Sequence, residues 1–269
     1  MPICPKQLCF STILAAGMFF SSANAADEHV KIAATTEFTA IHAGDSGLLA
    51  VEIHIDEDWH IYWPGISDSG FGVSFTLRST GPVTLDEPIW PTPERYLQPG
   101  DILDHVYEET ALVLIPFHVA DDATPDDAVI FDIDAEFLVC SDICLPGQAN
   151  TTATITIVDE SSEKTPSESS DVIRAAYEHR PKEFNPKAQD VRVQWIADAA
   201  AIMFRDATKI EFFPSTACTE LADPIAGGST DSNRLIIKFA QRENKVLSGR
   251  IRSHEPTGPV DYDINIKAP

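Results

Sequence analysis

The sequence predicts an all-β protein, an immunoglobulin-like antiparallel β-sandwich followed by a second, smaller β-rich domain. Apolar and polar residues alternate with a period of two over many stretches, polar turn signals such as HAGDSG, STGP and DDATPDD separate several of them, and the strand-like runs of the first half have no helices between them. A sheet that is apolar on one face must cover that face with another layer. Many short strands with no helices between them therefore point to a sandwich.

The elements follow in order. The chain opens with a lone Lys6, an apolar run from Phe10 to Phe20, and Ala23 and Ala25 in an A-x-A arrangement, which is the pattern of an export signal cleaved after Ala25. That run is too short to span a bilayer, and no later segment approaches the roughly 18 unbroken apolar residues that a membrane helix requires. Removing 25 of 269 residues leaves 244, enough for two modest domains. The expected division is a signal at 1–25, a first domain at 26–158, a linker at 159–170 and a second domain at 171–269.

Within the first domain the strand candidates are Ile32 to Ile41, Gly47 to Ile55, Phe71 to Arg78, Ala111 to Val119 and Thr151 to Val158. The clearest alternation places Val129, Phe131, Ile133, Ala135, Phe137 and Val139 on one face, with Asp132, Asp134 and Glu136 on the other. The run DESSEKTPSESS, Asp159 to Ser170, is polar, charged and nearly free of apolar residues, so it reads as a linker. Val172, Ile173, Ala176 and Tyr177 then recur at helical spacing until Pro181 ends the pattern. Strand signals return at Val191 to Trp195, Lys209 to Phe213, Leu235 to Phe239 and Leu247 to Arg252. The last of them, Tyr262, Ile264 and Ile266, alternates with Asp261, Asp263 and Asn265.

Loss of Lys6 with the signal moves the formal charge from -23 to -24. Such a chain repels phosphate backbones and anionic lipid surfaces, which argues against a nucleic-acid partner, and the acidity itself reads as a solubility feature. Cys4 and Cys9 depart with the signal, leaving Cys140, Cys144 and Cys218 in an oxidising compartment. Cys218 stands alone in PSTACTEL and reads as a small buried hydrophobe.

The stretch FLVCSDICLPG holds the chemistry. Continued alternation puts Cys140 on the outward-facing set, near solvent, and a tight turn of Ser141, Asp142 and Ile143 brings Cys144 back within bridging reach. In the chain-entropy model a loop of about five residues gains roughly 2 kcal/mol on closure, against about 4.7 for one of about 100 residues. A local bridge is thus a poor staple for a domain rich in apolar strands, and a pair that opens and closes explains it better. A structural disulfide remains a reading, as does a soft-metal site in which two thiolates and an imidazole such as His105 hold Cu(I), although the spacing matches neither common zinc pattern. Trp59, Tyr62 and Trp63 read equally well as core and rim of the sandwich.

Three separated segments, DEDWHIYWPGISDSGFGVSFTL, PIWPTPERYLQPGDILDHVYEETALVLIPFHV and LVCSDICLPGQA, together resemble the N-terminal periplasmic domain of the DsbD/ScsB family of protein-disulfide reductases. The likeness spans Asp27 to Val158, and the region after the linker resembles the extra β-rich portion of ScsB-type members. The resemblance implies a periplasmic domain whose paired cysteines, Cys140 and Cys144, accept electrons from a thioredoxin-like or membrane DsbD/ScsB-type donor and pass them to disulfide-containing clients, with no cofactor and no resident metal. It points to Cys144 as the sulfur that forms mixed disulfides. It also places His60 and Tyr62 beside the disulfide and sets Gly100 to Tyr107, with Tyr107 in the active-site surround, where a cap loop shields the pair.

The sequence departs from the family at Val106, where a glycine is usual, and at Gly147, where an acidic residue is common. The chain also carries no bundle of membrane helices and no C-x-x-C, so it is expected to depend on a separate electron donor. Asp142, Asp101, Asp104, Glu108 and Glu109 would disfavour a thiolate and make the couple slow and partner-gated. A protein of this kind would be a thiol-disulfide oxidoreductase. The readings beside it are a non-catalytic binding module and a Cu(I)-handling protein.

Overall fold

A computed structural model of the chain describes residues 25–269, and the expected export signal lies almost wholly outside them. A 3-10 turn at Ala25–Glu28 leads into β1 (Val30–Thr36), β2 (Phe38–His42), β3 (Ser46–Ile55), β4 (His60–Tyr62), β5 (Ser74–Ser79), β6 (Val83–Leu85), β7 (Glu94–Gln98), β8 (Ile102–Glu108), β9 (Thr110–Val119), β10 (Ala128–Cys140) and β11 (Cys144–Val158). Then come β12 (Thr165–Pro166), α1 (Ser170–Glu178), β13 (Lys182–Glu183), β14 (Val191–Ile196), β15 (Ala199–Phe204), β16 (Lys209–Pro214), β17 (Ser229–Thr230), β18 (Arg234–Lys238), β19 (Val246–Glu255) and β20 (Gly258–Lys267).

Two sheets make the first sandwich. One has the order β1-β3-β9-β6; the other runs β12-β2-β11-β10-β4-β8-β7, with β5 also paired to β10. The alternating residues of β10 behave as the sequence predicts: Val129, Phe131, Ile133, Ala135, Phe137 and Val139 are all buried, facing Leu49, Val51, Val113, Ile115 and Phe117 of the other sheet. Sheets packed this way bury apolar area at roughly 25 cal/mol per Å², which makes this interior the main source of stability.

The stretch expected as one strand from Ile32 to Ile41 is two. At Glu37, whose N–H donates to Leu48 O at 2.8 Å, the chain leaves the four-stranded sheet, where β1 pairs with β3, and joins the larger sheet, where β2 runs parallel to β11. The polar run 159–170 is also tied down along much of its length. Thr165 pairs with Ala40, Ser167 N–H donates to Glu37 O at 2.9 Å, and His42 Nε2 donates to Ser162 O at 2.9 Å. Its side chains are polar because they face water; its backbone bonds to a sheet edge, which composition does not report. Helix α1 lays Ile173 against Leu48, Ala50 and Leu114, the outward residues of the four-stranded sheet.

The second unit holds a five-stranded sheet, β13-β20-β19-β16-β17, and a three-stranded one, β14-β15-β18. Their shared interior includes Ile202, Phe204, Phe212, Ile237, Leu247 and Ile251. Strand β15 carries the uniformly apolar run AAAIMF, whose lack of alternation hides it from a period-two reading. Cys218 is free, half-buried and packed against this interior, and burial raises its thiol pKa.

Candidate functional site: the Cys140–Cys144 hairpin

Strands β10 and β11 form one long hairpin paired from Ala128↔Thr156 to Cys140↔Cys144, with Ser141, Asp142 and Ile143 as its turn and Ser141 N–H donating to Ile143 O at 3.0 Å. Cys140 and Cys144 are joined by a disulfide, their Cα atoms 4.1 Å apart. The register places them opposite each other at the last pair of the ladder, so the turn alone brings the thiols together.

The two sulfurs differ in surroundings. Cys144 is exposed, whereas Cys140 is only 1% exposed, which corrects the expectation that its sulfur lies near solvent. Cys140 does point away from the main core, as alternation requires, but Tyr62, Val106 and Leu138 close over it as a small separate cluster. Strand β10 pairs Cys140 with His60 of β4, and β4 pairs Tyr62 with Val106 of β8, so all four project from the same face of the sheet.

The Tyr62 hydroxyl donates to Cys140 Sγ at 3.3 Å. It also lies 3.3 Å from Ser69 Oγ, which donates to Asp104 Oδ2 at 2.5 Å. Asp104 is fully buried and accepts further bonds from Ser69 N–H at 2.9 Å and Gln98 Nε2 at 2.7 Å. Burial pushes the Tyr62 phenol above its ordinary pKa, the Ser69 contact partly opposing, so it remains a proton-bearing donor at neutral pH. The loop from Trp63 to Val73 supplies this cover. Gly70 lies flat on the Tyr62 ring, and a Cβ there would stand 2.2 Å from the ring's Cζ.

His60 is buried on the disulfide face, its ring 5.4 Å from that of Tyr62 and 4.9 Å from that of Tyr96. Burial lowers its pKa, against the pull of Glu108 and Asp104, and its Nε2 has no hydrogen-bond partner. The structure therefore gathers Cys140, Cys144, His60 and Tyr62. It does not bring Tyr107 to them: that side chain is on the core face, opposite Ile61, with its hydroxyl donating to Pro91 O at 2.7 Å. Complete burial raises the Tyr107 pKa well above the usual phenol value.

The segment Gly100 to Tyr107, expected as a cap loop, is mostly strand β8, hairpinned to β7 through a turn with positive φ at Gly100 and Asp101. His105, weighed as a metal ligand beside the cysteines, lies on the opposite face. Its Nδ1 donates to Ile66 O at 2.6 Å, its ring packs edge-on to Phe213, and burial depresses its pKa to about 4. Sequence reasoning missed Ser69, Gln98 and Tyr96, and took Asp104 only as local negative charge. The sole sequence signal for the covering loop is the pair of glycines, Gly70 and Gly72, spaced for close approach.

Comparison with known proteins agrees with this geometry. The family described as thiol:disulfide interchange protein DsbD, N-terminal, matches residues 28–156. The crystal structure of the N-terminal periplasmic domain of ScsB from Proteus mirabilis superposes with a TM-score of 0.55 at 14% identity, over 91% of this chain and 96% of that one, a likeness of fold that extends into the second unit. The reduced N-terminal domain of DsbD from Neisseria meningitidis aligns at 12% identity over 52% of this chain and 92% of that one, with a TM-score of 0.29. No curated protein matches the sequence. Residues 28–156 of this chain, with their Cys140–Cys144 disulfide, form a domain of the DsbD N-terminal family of thiol:disulfide interchange proteins.

Proposed function

We propose that this protein relays reducing equivalents in the periplasm, taking them from a thioredoxin-like or membrane-bound DsbD/ScsB-type donor and delivering them to disulfide-containing client proteins. In this reading residues 1–25 direct export, 26–158 form the redox domain, 159–170 connect, and 171–269 form a second domain. The observation that carries it is the asymmetry of the disulfide: Cys144 is open to a partner and Cys140 is sealed under Tyr62.

Only the exposed sulfur can be reached by another protein's thiolate. The donor thiolate attacks Cys144 Sγ, forming a mixed disulfide, and the bond electrons leave on Cys140 Sγ. The Tyr62 hydroxyl already points at that atom and stabilises the thiolate as it forms. The donor's second thiolate then attacks its partner sulfur and releases Cys144, so two electrons have moved and the protons come from solvent. Delivery reverses the order. The Cys144 thiolate attacks a client disulfide, and Cys140 then attacks Cys144 to free the reduced client.

The test is trapping with single-cysteine variants. In a Cys218→Ser background, Cys140→Ser with Cys144 activated as its thionitrobenzoate disulfide is expected to form a stable mixed disulfide with a thioredoxin-like donor that keeps only its attacking cysteine, thionitrobenzoate being the leaving group, and Cys144→Ser activated at Cys140 is expected not to. Absence of the adduct in Cys140→Ser, with a wild-type potential below about -300 mV, would leave the disulfide a structural bridge.

A further inference from the structure

The hairpin of β7 and β8 has two faces with different duties. Its register pairs Arg95 with His105 and Leu97 with Leu103 on one side, and Tyr96 with Asp104 and Glu94 with Val106 on the other. The second set faces the disulfide. Of the first set, Arg95 and His105 are covered by the second unit, while Leu97 stays exposed.

That cover is specific. Arg95 sends its guanidinium into the second unit, with Nη1 donating to Phe212 O at 3.2 Å and Nη2 donating to Pro224 O and Ile225 O at 3.0 Å each. The planar fork suits a cradle of carbonyls, which a single ammonium could not fill. Gly228 makes the entry possible, since a Cβ there would stand 2.5 Å from Arg95 Nη1. Phe213, 1% exposed, sets its ring against His105 and joins the interior of the first sandwich. The loop over Tyr62 is held from the same side, with Ile66 N–H donating to Pro214 O at 2.9 Å. Arg250 of the second unit reaches back to Trp90 O.

We infer that the second unit is the buttress of the redox site, with Arg95 as its positioning residue. A two-stranded ribbon at a sheet's edge is marginal by itself and takes its place from what backs it. Here the backing fixes β7 and β8, and thereby Asp104; Asp104 holds Ser69, and Ser69 meets the Tyr62 hydroxyl that points at Cys140. The inference rests on Cys140–Cys144 as the reacting pair, but it needs no protein partner.

The experiment measures reduction of the disulfide in the full-length protein by dithiothreitol. Arg95→Ala is expected to slow the reaction roughly fivefold, and to have no further effect in a Tyr62→Phe background, since both changes would remove the same hydroxyl–sulfur contact. Arg95→Lys, which keeps the charge and loses the fork, should fall between Arg95→Ala and wild type. Arg78→Ala, on the same sheet but paired at the surface with Asp134, should match wild type.

An unchanged or faster rate in Arg95→Ala overturns the proposal, as does a slowing that adds in full to that of Tyr62→Phe. Should Arg95→Ala fail to fold, Arg95→Lys decides by the same criteria. Dithiothreitol reads the site directly, so failure to trap a thioredoxin-like donor would count against the relay while leaving this result intact.

Discussion

The Tyr62 hydroxyl and the Cys140 sulfur are 3.3 Å apart in a cluster closed to solvent, with the hydroxyl as donor. A hydrogen bond to a charged group contributes about 1.5–3 kcal/mol, and a better-stabilised leaving thiolate departs faster. Tyr62→Phe keeps the ring and removes only this bond. Its disulfide should form normally and be reduced by dithiothreitol roughly tenfold more slowly than wild type, with the Cys140 thiol a weaker acid for want of the donor. Stopped-flow reduction and the pH dependence of thiolate absorbance measure both.

Gly70→Ala tests the loop over that ring. A methyl group would meet the Tyr62 ring at 2.2 Å, inside any permissible contact, so loop or ring must move. Overpacking of this kind costs about 1–3 kcal/mol, and the expected result is a lower urea midpoint together with easier alkylation of Cys140 after reduction.

His105 gives a pH signature. Its folded pKa, about 4, lies below the ordinary 6.5 because burial disfavours the charged ring. Between those values the unfolded chain binds the proton and the folded one does not, so stability is complete above about pH 6.5 and declines as pH falls towards 4. The contribution is of the order of 3 kcal/mol. Across this window wild type should lose stability relative to His105→Phe as the pH falls, because the variant lacks the group that titrates.

Ile173→Ala probes the helix. Ile173 is 1% exposed between Leu48, Ala50 and Leu114, and truncating a side chain so placed costs about 2–4 kcal/mol if the helix belongs to the cooperative unit of the sandwich. Chemical denaturation should show a single transition at a lower midpoint. Two transitions, with the sandwich unchanged, would mean that α1 folds with the second unit alone.

Much of this was legible in the sequence, for reasons that particular residues make plain. The alternation from Val129 to Val139 reported its own face because a strand between two layers has one wet side and one dry side, and the same alternation carried Cys140 to the correct face. It could not report the burial of Cys140. The covering residues come from β4, β8 and a loop about 70 residues away in sequence, and only pairing through β4 assembles them. Tyr107 was misplaced for a related reason. The cap was read as a loop, and a loop assigns no face, whereas in strand β8 Tyr107 and Val106 must point opposite ways. The second unit's role was invisible because backbone carbonyls of Phe212, Pro224 and Ile225 receive Arg95, and carbonyls leave no mark on composition.

The hairpin of β10 and β11 has a mechanical consequence. Thirteen consecutive residue pairs zip the two strands together, and the covalent link sits at the last of them, closing only a three-residue tip. Severing it releases no distant part of the chain. A bond at the free end of a zipper can open and shut through many cycles while the cloth stays fastened, so the oxidised and reduced forms are expected to share one fold and to differ only within reach of that tip.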